Sequence, residues 1–212
     1  MQRRNFIQFI VLAALMGACG RKKLHAPLSQ GATVLAFGDS VTYGVGAGSG
    51  EDWPSLLARR ARWNIVNAGI SGDTTETALQ RIAPLLDQYE PELVIIEIGG
   101  NDFLNRRPPK TVKENLRQIV LRVRRHNAAT PVVLVAVPEL SLLNALVQRL
   151  SDSPIYAELA KESKLWLIDS VFSDVLSDKE LRSDQVHPNA RGYRQMADRI
   201  GDALRKFGFI AS

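Results

Sequence analysis

The sequence predicts an α/β protein built on a five-stranded parallel sheet. Three observations carry that reading. Five short apolar runs recur along the 212 residues, at 33–37, 64–67, 93–98, 131–137 and 165–168. They are nearly continuous rather than alternating, as expected of strands covered on both faces. Between them lie stretches of roughly 10–20 residues with helical spacing, which implies parallel pairing through right-handed crossovers.

The elements follow in order. The run 33–37 ends at Gly38-Asp39-Ser40 and reads as a buried strand entering a loop. Residues 53–63 have helical spacing, and the second strand, 64–67, is closed by Ala68-Gly69. The spacing predicts a helix over 74–89, with Ala78, Leu79, Ile82, Leu85 and Leu86 on one face and Asp73-Thr74 as its cap. The third strand, 93–98, is apolar apart from Glu97. An amphipathic helix over 111–127 carries Val112, Leu116, Ile119, Val120 and Val123 on its stripe. Its basic face of Lys113, Arg117, Arg122, Arg124 and Arg125 reads as solvated. The fourth strand is 131–137. A helical stretch over 140–163, interrupted near Pro154, precedes the fifth strand at 165–168. The closing helix, 189–207, opens just after Pro188, a residue suited to a first helical turn.

Composition narrows the function classes. With 45% hydrophobic and 23% charged residues, the chain is neither disordered, collagen-like nor a multi-span membrane protein. The single cysteine, Cys19, leaves no intrachain disulfide and no cysteine-based zinc site. The first 18 residues join a basic start (Arg3, Arg4) to an apolar run and the small residues Gly17 and Ala18. That order is an export signal, too short for a spanning helix. Leu15-Met16-Gly17-Ala18-Cys19 resembles a bacterial lipobox, with Met16 where Leu is usual, so Cys19 is expected to be lipidated and to anchor the protein to a membrane. Arg3-Arg4-Asn5-Phe6-Ile7 also looks like a twin-arginine motif. The expected organisation is therefore a signal over 1–18, a lipidated Cys and flexible basic tether over 19–31, and one domain over 32–212. Loss of Arg3 and Arg4 with the signal lowers the formal +5 by two, too mild a charge for a nucleic-acid partner.

In parallel sheets ligands bind at the carboxyl ends of the strands. The loops there carry Gly38-Asp39-Ser40, Gly69-Ile70-Ser71-Gly72-Asp73, Gly99-Gly100-Asn101-Asp102 and Asp184-Gln185-Val186-His187-Pro188. Acyl transfer needs a nucleophile, a base, a group to hold the base and donors for an oxyanion. Ser40 is the candidate nucleophile and His187 the candidate base. His25 falls in the tether, and His126 closes a helix where a cation meets the dipole. Asp184, three residues before His187, is placed to hold one imidazole nitrogen. Asn101 and the N–H groups of Gly72 and Ser40 are the oxyanion candidates. Asp39 and Asp102 read as loop-shaping residues. The Gly44–Gly50 segment fits no nucleotide-binding spacing and reads as a flexible wall or lid.

Four blocks in order resemble the GDSL-type, or SGNH, hydrolases: Phe37-Gly38-Asp39-Ser40, Asn67–Thr74, Gly99-Gly100-Asn101-Asp102 and Asp184–Pro188. The resemblance spans about residues 32–206 and is strongest to the bacterial branch of thioesterases, lysophospholipases and arylesterases. It implies a flavodoxin-like three-layer α/β/α fold and hydrolysis of esters or thioesters without metal or other cofactor. By the same resemblance Ser40 is the nucleophile, Gly72 and Asn101 complete the oxyanion hole, His187 is the base and Asp184 orients it. The expected substrate is a small-molecule acyl ester or thioester. Two other readings are a cell-envelope carbohydrate O-deacetylase and a non-catalytic surface binding protein. The intact Ser40, Asn101, Asp184 and His187 weigh against the last. Leu140, Leu142, Leu143, Leu146 and Val147 are candidates to flank an acyl chain.

Overall fold

The strands β1 (Thr33–Gly38), β2 (Asn64–Gly69), β3 (Leu93–Glu97), β4 (Val132–Val135) and β5 (Trp166–Ile168) form one sheet in the order β2-β1-β3-β4-β5. Every neighbouring pair is parallel. The computed structural model describes residues 24–140 and 150–211. Residues 1–23, with Cys19 and the expected export signal, lie outside that range, as do Leu142, Leu143, Leu146 and Val147. Helices α2 (Trp53–Ala61) and α8 (Ala190–Phe207) pack together, while α3 (Thr75–Tyr89) packs on α5 (Pro109–His126) and α5 on α6 (Pro154–Glu162). The predicted three-layer α/β/α architecture is what the chain adopts.

The sheet is apolar because both faces are covered. Val34, Leu35, Ala36 and Phe37 of β1 and Val94 and Ile95 of β3 are buried. Full burial of one such aliphatic side chain is worth about 1.5–3 kcal/mol, so the central strands supply much of the core. The carboxyl ends are level, with Gly38 opposite Gly69 on one side and Glu97 on the other. Strand order reverses at β1, which opens a crevice between the loops after β1 and β3. Two glycines let a short helix, α1 (Ser40–Tyr43), settle there. A Cβ on Gly38 would lie 2.1 Å from Thr42 Oγ1, and one on Gly69 would lie 2.2 Å from the Tyr43 nitrogen.

Several segments differ from the sequence expectation. The residues after β1 and β3 are helical, as α1 and α4 (Gly100–Leu104), rather than loops. The Asp39 carboxylate caps the first, accepting from the Val41 N–H at 3.1 Å, and Gly99 at φ +130° turns the chain into the second. Strand β2 runs two residues further than predicted and β4 is shorter at both ends. Of the helical stretch expected over 140–163, residues 141–149 lie outside the described range; the part beyond the interruption is α6, which starts at Pro154, and Asp152 just before it makes an isolated antiparallel bridge with Pro138. Pro188 stands outside α8, whose cap is Asn189, its side chain accepting from the Arg191 and Gly192 N–H groups.

The basic face of α5 is not simply solvated. Lys113 reaches Glu158 at 2.7 Å and Glu162 at 2.6 Å, Arg117 reaches Glu162 at 2.6 Å, and Arg122 donates to the Leu79 carbonyl. Nor is the tether free over its whole length. From His25 onward it is a strap on the α8 end. The His25 N–H donates to the Phe207 carbonyl and the Leu28 N–H to that of Phe209, while the His25 ring stacks on Phe209 at 4.4 Å.

Candidate active site

Ser40 opens α1 and is buried at 7% exposure. Its position at a helix start leaves its own N–H without an intrahelical acceptor, and among the described residues no other acceptor uses it. Its Oγ lies 2.9 Å from His187 Nε2, and His187 Nδ1 lies 2.8 Å from Asp184 Oδ2. A carboxylate only accepts, so Nδ1 carries the hydrogen and Nε2 is left to accept from the Ser40 hydroxyl. The other Asp184 oxygen accepts from the Val186 and His187 N–H groups, both at 2.8 Å, which folds the Asp-x-x-His segment into a tight turn. Partial burial pulls the Asp184 carboxyl upward, but the His187 ring and those two N–H groups outweigh it and hold it below its ordinary value.

The rest of the molecule keeps that turn in place. The Ser183 N–H donates to the His187 carbonyl at 2.9 Å, and the Asn189 N–H to that of Leu181 at 2.9 Å. The glycine-rich Gly44–Gly50 segment, expected as a flexible wall or lid, is tied to the same turn. Val45 accepts from the Tyr193 hydroxyl at 2.7 Å, and a Cβ on Gly46 would meet Ser183 Oγ at 2.2 Å.

Ser40, Asn101 and His187 line one small cleft of ≈ 50 Å³, walled by Leu104, Leu140, Phe172 and Val186. Asp184 stands behind His187. Asn101 donates from Nδ2 to the Asp73 carbonyl at 2.9 Å, which ties α4 to the Gly72 turn. Gly72 itself is not among the cleft-lining residues. It adopts φ +84°, a left-handed conformation that favours glycine, and its N–H is unused by any acceptor among the described residues.

Beneath Ser40 lies a cluster of buried acids. Burial, with Asp73 and Asp102 adding repulsion, pushes the Asp39 carboxyl up to about 7 against the N–H groups of Val41 and Gly99. Glu97 is raised by burial and by Asp39; its Oε2 accepts from Thr42 Oγ1 at 2.8 Å and its Oε1 has no partner among the described residues. Asp102 is also raised by burial, partly offset by the Thr75 N–H and hydroxyl, each at 2.8 Å. Asp39 and Asp102 thus shape loops, as expected. Sequence reasoning missed Phe172, which follows β5 in α7 (Val171–Ser177), and Arg81, which links three loop ends. Arg81 had a signal: a lone cation among the apolar positions of α3. Among the described residues no group of three or more His, Cys, Asp or Glu side chains is placed to hold a metal.

A model of the GDSL-like lipase/acylhydrolase family matches residues 36–195. The chain belongs to this family. It is 33% identical over 178 residues to thioesterase 1/protease 1/lysophospholipase L1 of Escherichia coli K12, covering 82% of this chain and 83% of that one. It is 30% identical over 191 residues to an arylesterase of Vibrio mimicus, covering 86% and 93%. Among solved structures it resembles the psychrotrophic esterase EstA from Pseudoalteromonas sp., inhibited by monoethylphosphonate. That match has a TM-score of 0.69 and 27% identity, covering 82% of this chain and 97% of that one. The chain is an esterase or acyl hydrolase of the GDSL family.

Proposed function

We propose that the chain hydrolyses short- to medium-chain carboxylic esters or thioesters through an acyl-enzyme on Ser40. The continuous Asp184–His187–Ser40 hydrogen-bond chain, at 2.8 and 2.9 Å, carries this reading. Ser40 Oγ attacks the carbonyl carbon while His187 Nε2 takes its proton. The tetrahedral oxyanion is met by the N–H groups of Ser40 and Gly72 and by Asn101 Nδ2. Collapse expels the alcohol or thiol, protonated by His187. Water, deprotonated by the same nitrogen, then attacks the acyl carbon and frees Ser40 and the acid. Asp184 orients the imidazole and stabilises its charged form.

The apolar cleft walls suit an acyl group, and the relatives named as thioesterase, lysophospholipase and arylesterase point the same way. We also place the enzyme in the bacterial envelope, exported by residues 1–18 and anchored through lipidated Cys19, on the basic–apolar–small–Cys order of its N-terminus. The test is hydrolysis of p-nitrophenyl esters from acetyl to decanoyl by the wild type, Ser40→Ala and His187→Ala, with a phosphonate ester as a covalent probe. Turnover should fall at least about a thousand-fold in both variants, and the phosphonate mass should appear on Ser40. Undiminished turnover in Ser40→Ala overturns the mechanism; a sharp preference for acetyl sugars would favour the deacetylase reading.

A further inference from the structure

The strap at residues 25–28 brings the N-terminal segment to one defined place. It is pinned at the Phe207 and Phe209 carbonyls, where α8 ends. Helix α8 begins three residues after His187 and runs 18 residues, so the strap lies about 27 Å from the catalytic end of the molecule. Only Gly20–Lys23 separate the expected anchor, Cys19, from Leu24, a reach of at most about 17 Å. Anything attached to Cys19 is therefore held near the amino ends of the strands, opposite the active site.

The surface at that end has the chemistry of a bilayer interface. The His25 ring meets Trp166 at 6.0 Å, edge to face. Trp166 in turn lines an apolar groove of ≈ 700 Å³ at the open edge of the sheet, between β5 and α6, with Ala157, Ala160, Leu165 and Leu167. Lys161 and Lys164 rim the groove, are exposed, and make no ion pair with any described residue. The nearest acids on α6, Glu158 and Glu162, are already engaged by Lys113 and Arg117. Leu24, the chain neighbour of His25, is 67% exposed, and Arg21, Lys22 and Lys23 precede it in the sequence.

We propose that this groove face docks on an anionic phospholipid surface, with Trp166 at headgroup depth and Lys161 and Lys164 on lipid phosphates. Trp and Lys with apolar neighbours are suited to that interface. The proposal rests on the reading of Cys19 as the lipidated N-terminus. Its consequence concerns substrate: Ser40 faces away from the anchoring membrane, so the enzyme acts on acyl esters that arrive from the aqueous side rather than on lipids of the bilayer that holds it.

The test uses the full chain, expressed with its own N-terminal segment, extracted in detergent and reconstituted into vesicles. The vesicles contain either brominated phosphatidylglycerol or brominated phosphatidylcholine, with the intact mass read in parallel. Tryptophan emission should be quenched by the brominated phosphatidylglycerol, and that quenching should vanish in Trp166→Phe. Because one lysine near such a surface raises partitioning about five-fold, Lys161→Glu/Lys164→Glu should lower quenching to the phosphatidylcholine level. Both variants should keep wild-type ester turnover. Acylated protein whose Trp166 is unquenched in either lipid overturns the docking face and leaves the anchor standing. Unacylated protein that is still quenched in phosphatidylglycerol refutes the anchor and keeps the face. Emission that changes with protein dilution rather than with lipid assigns the groove to a second copy of the chain and overturns the proposal.

Discussion

Arg81 offers the sharpest test of how the site is held. Its Nε meets Asp73 Oδ2 at 2.6 Å, while Nη1 and Nη2 each donate at 2.9 Å, to the carbonyls of Ala68 and Gly38. The guanidinium also lies 4.3 Å from the Phe37 ring centroid. One side chain thus joins the ends of β1 and β2 to the turn that carries Gly72. The pair is largely removed from water, with side-chain exposures of 19% for Arg81 and 6% for Asp73. Arg81→Met keeps the stem on Phe37 but leaves the Asp73 carboxylate with Thr77 Oγ1 as its remaining side-chain partner. Breaking a buried pair by removing one member costs about 3–5 kcal/mol. With an m-value of about 2 kcal/mol/M, the urea midpoint should fall by about 2 M. Asp73→Asn removes the stranded charge, so the double variant should recover about 2 kcal/mol relative to additivity. Because the Asp73 carbonyl accepts from Asn101 Nδ2, kcat should fall as well, with KM little changed. A loss below about 1 kcal/mol in Arg81→Met, or simple additivity in the cycle, would show that the three-way bridge does not hold this edge together.

Other expectations follow from the same geometry. Asn101→Ala should lower kcat by about 10²–10³ with KM nearly unchanged, since an oxyanion donor acts in the transition state; a loss under tenfold, measured with p-nitrophenyl acetate, removes Asn101 from the hole. Asp39 is an acid raised to about 7 in the fold from 3.8, so the folded state binds more protons than the unfolded chain. Its destabilising effect is absent below pH 4 and grows as pH rises through 7. The stability of Asp39→Asn relative to wild type should therefore climb between pH 4 and 8 by as much as about 4 kcal/mol, and a difference that is flat across that range contradicts the burial argument. Gly69→Ala sets a Cβ 2.2 Å from the Tyr43 nitrogen and 2.7 Å from the Thr42 carbonyl carbon, both main-chain atoms. It should cost about 1–3 kcal/mol and displace α1; calorimetry showing an unchanged Tm would refute the close approach.

The legible and illegible parts of the site divide along physical lines. Ser40 and Asn101 stood out because each occupies a short polar segment after an apolar run, where chain topology alone predicts a ligand crevice; Asp184 and His187 stood out in a polar segment beyond the fifth strand and a short helical piece, before the last helix. Asp184 and His187 were easiest, since three residues of separation allow a turn that closes on itself without help from elsewhere. Gly72 was legible as an oxyanion candidate from its place in the segment after β2, yet it lies off the lining of the cleft that holds Ser40. Arg81 and Phe172 escaped because their roles depend on which distant loops their side chains reach. The basic face of α5 was misread for the same reason: its partners Glu158 and Glu162 belong to another helix and lie 45 to 49 positions away in the chain.

The order of strands and helices, the polar blocks at the strand ends and the tight Asp-x-x-His turn are local properties. Side-chain periodicity and short-range hydrogen bonding determine them from sequence alone. The 2.9 Å meeting of Ser40 with His187 across 147 positions, the raised carboxyls of Asp39 and Glu97, and the docking of His25 onto Phe209 are different in kind. They arise only when packing sets the separation of remote groups and removes water from between them. Distance and local dielectric are both products of that packing, and no window of the sequence contains either.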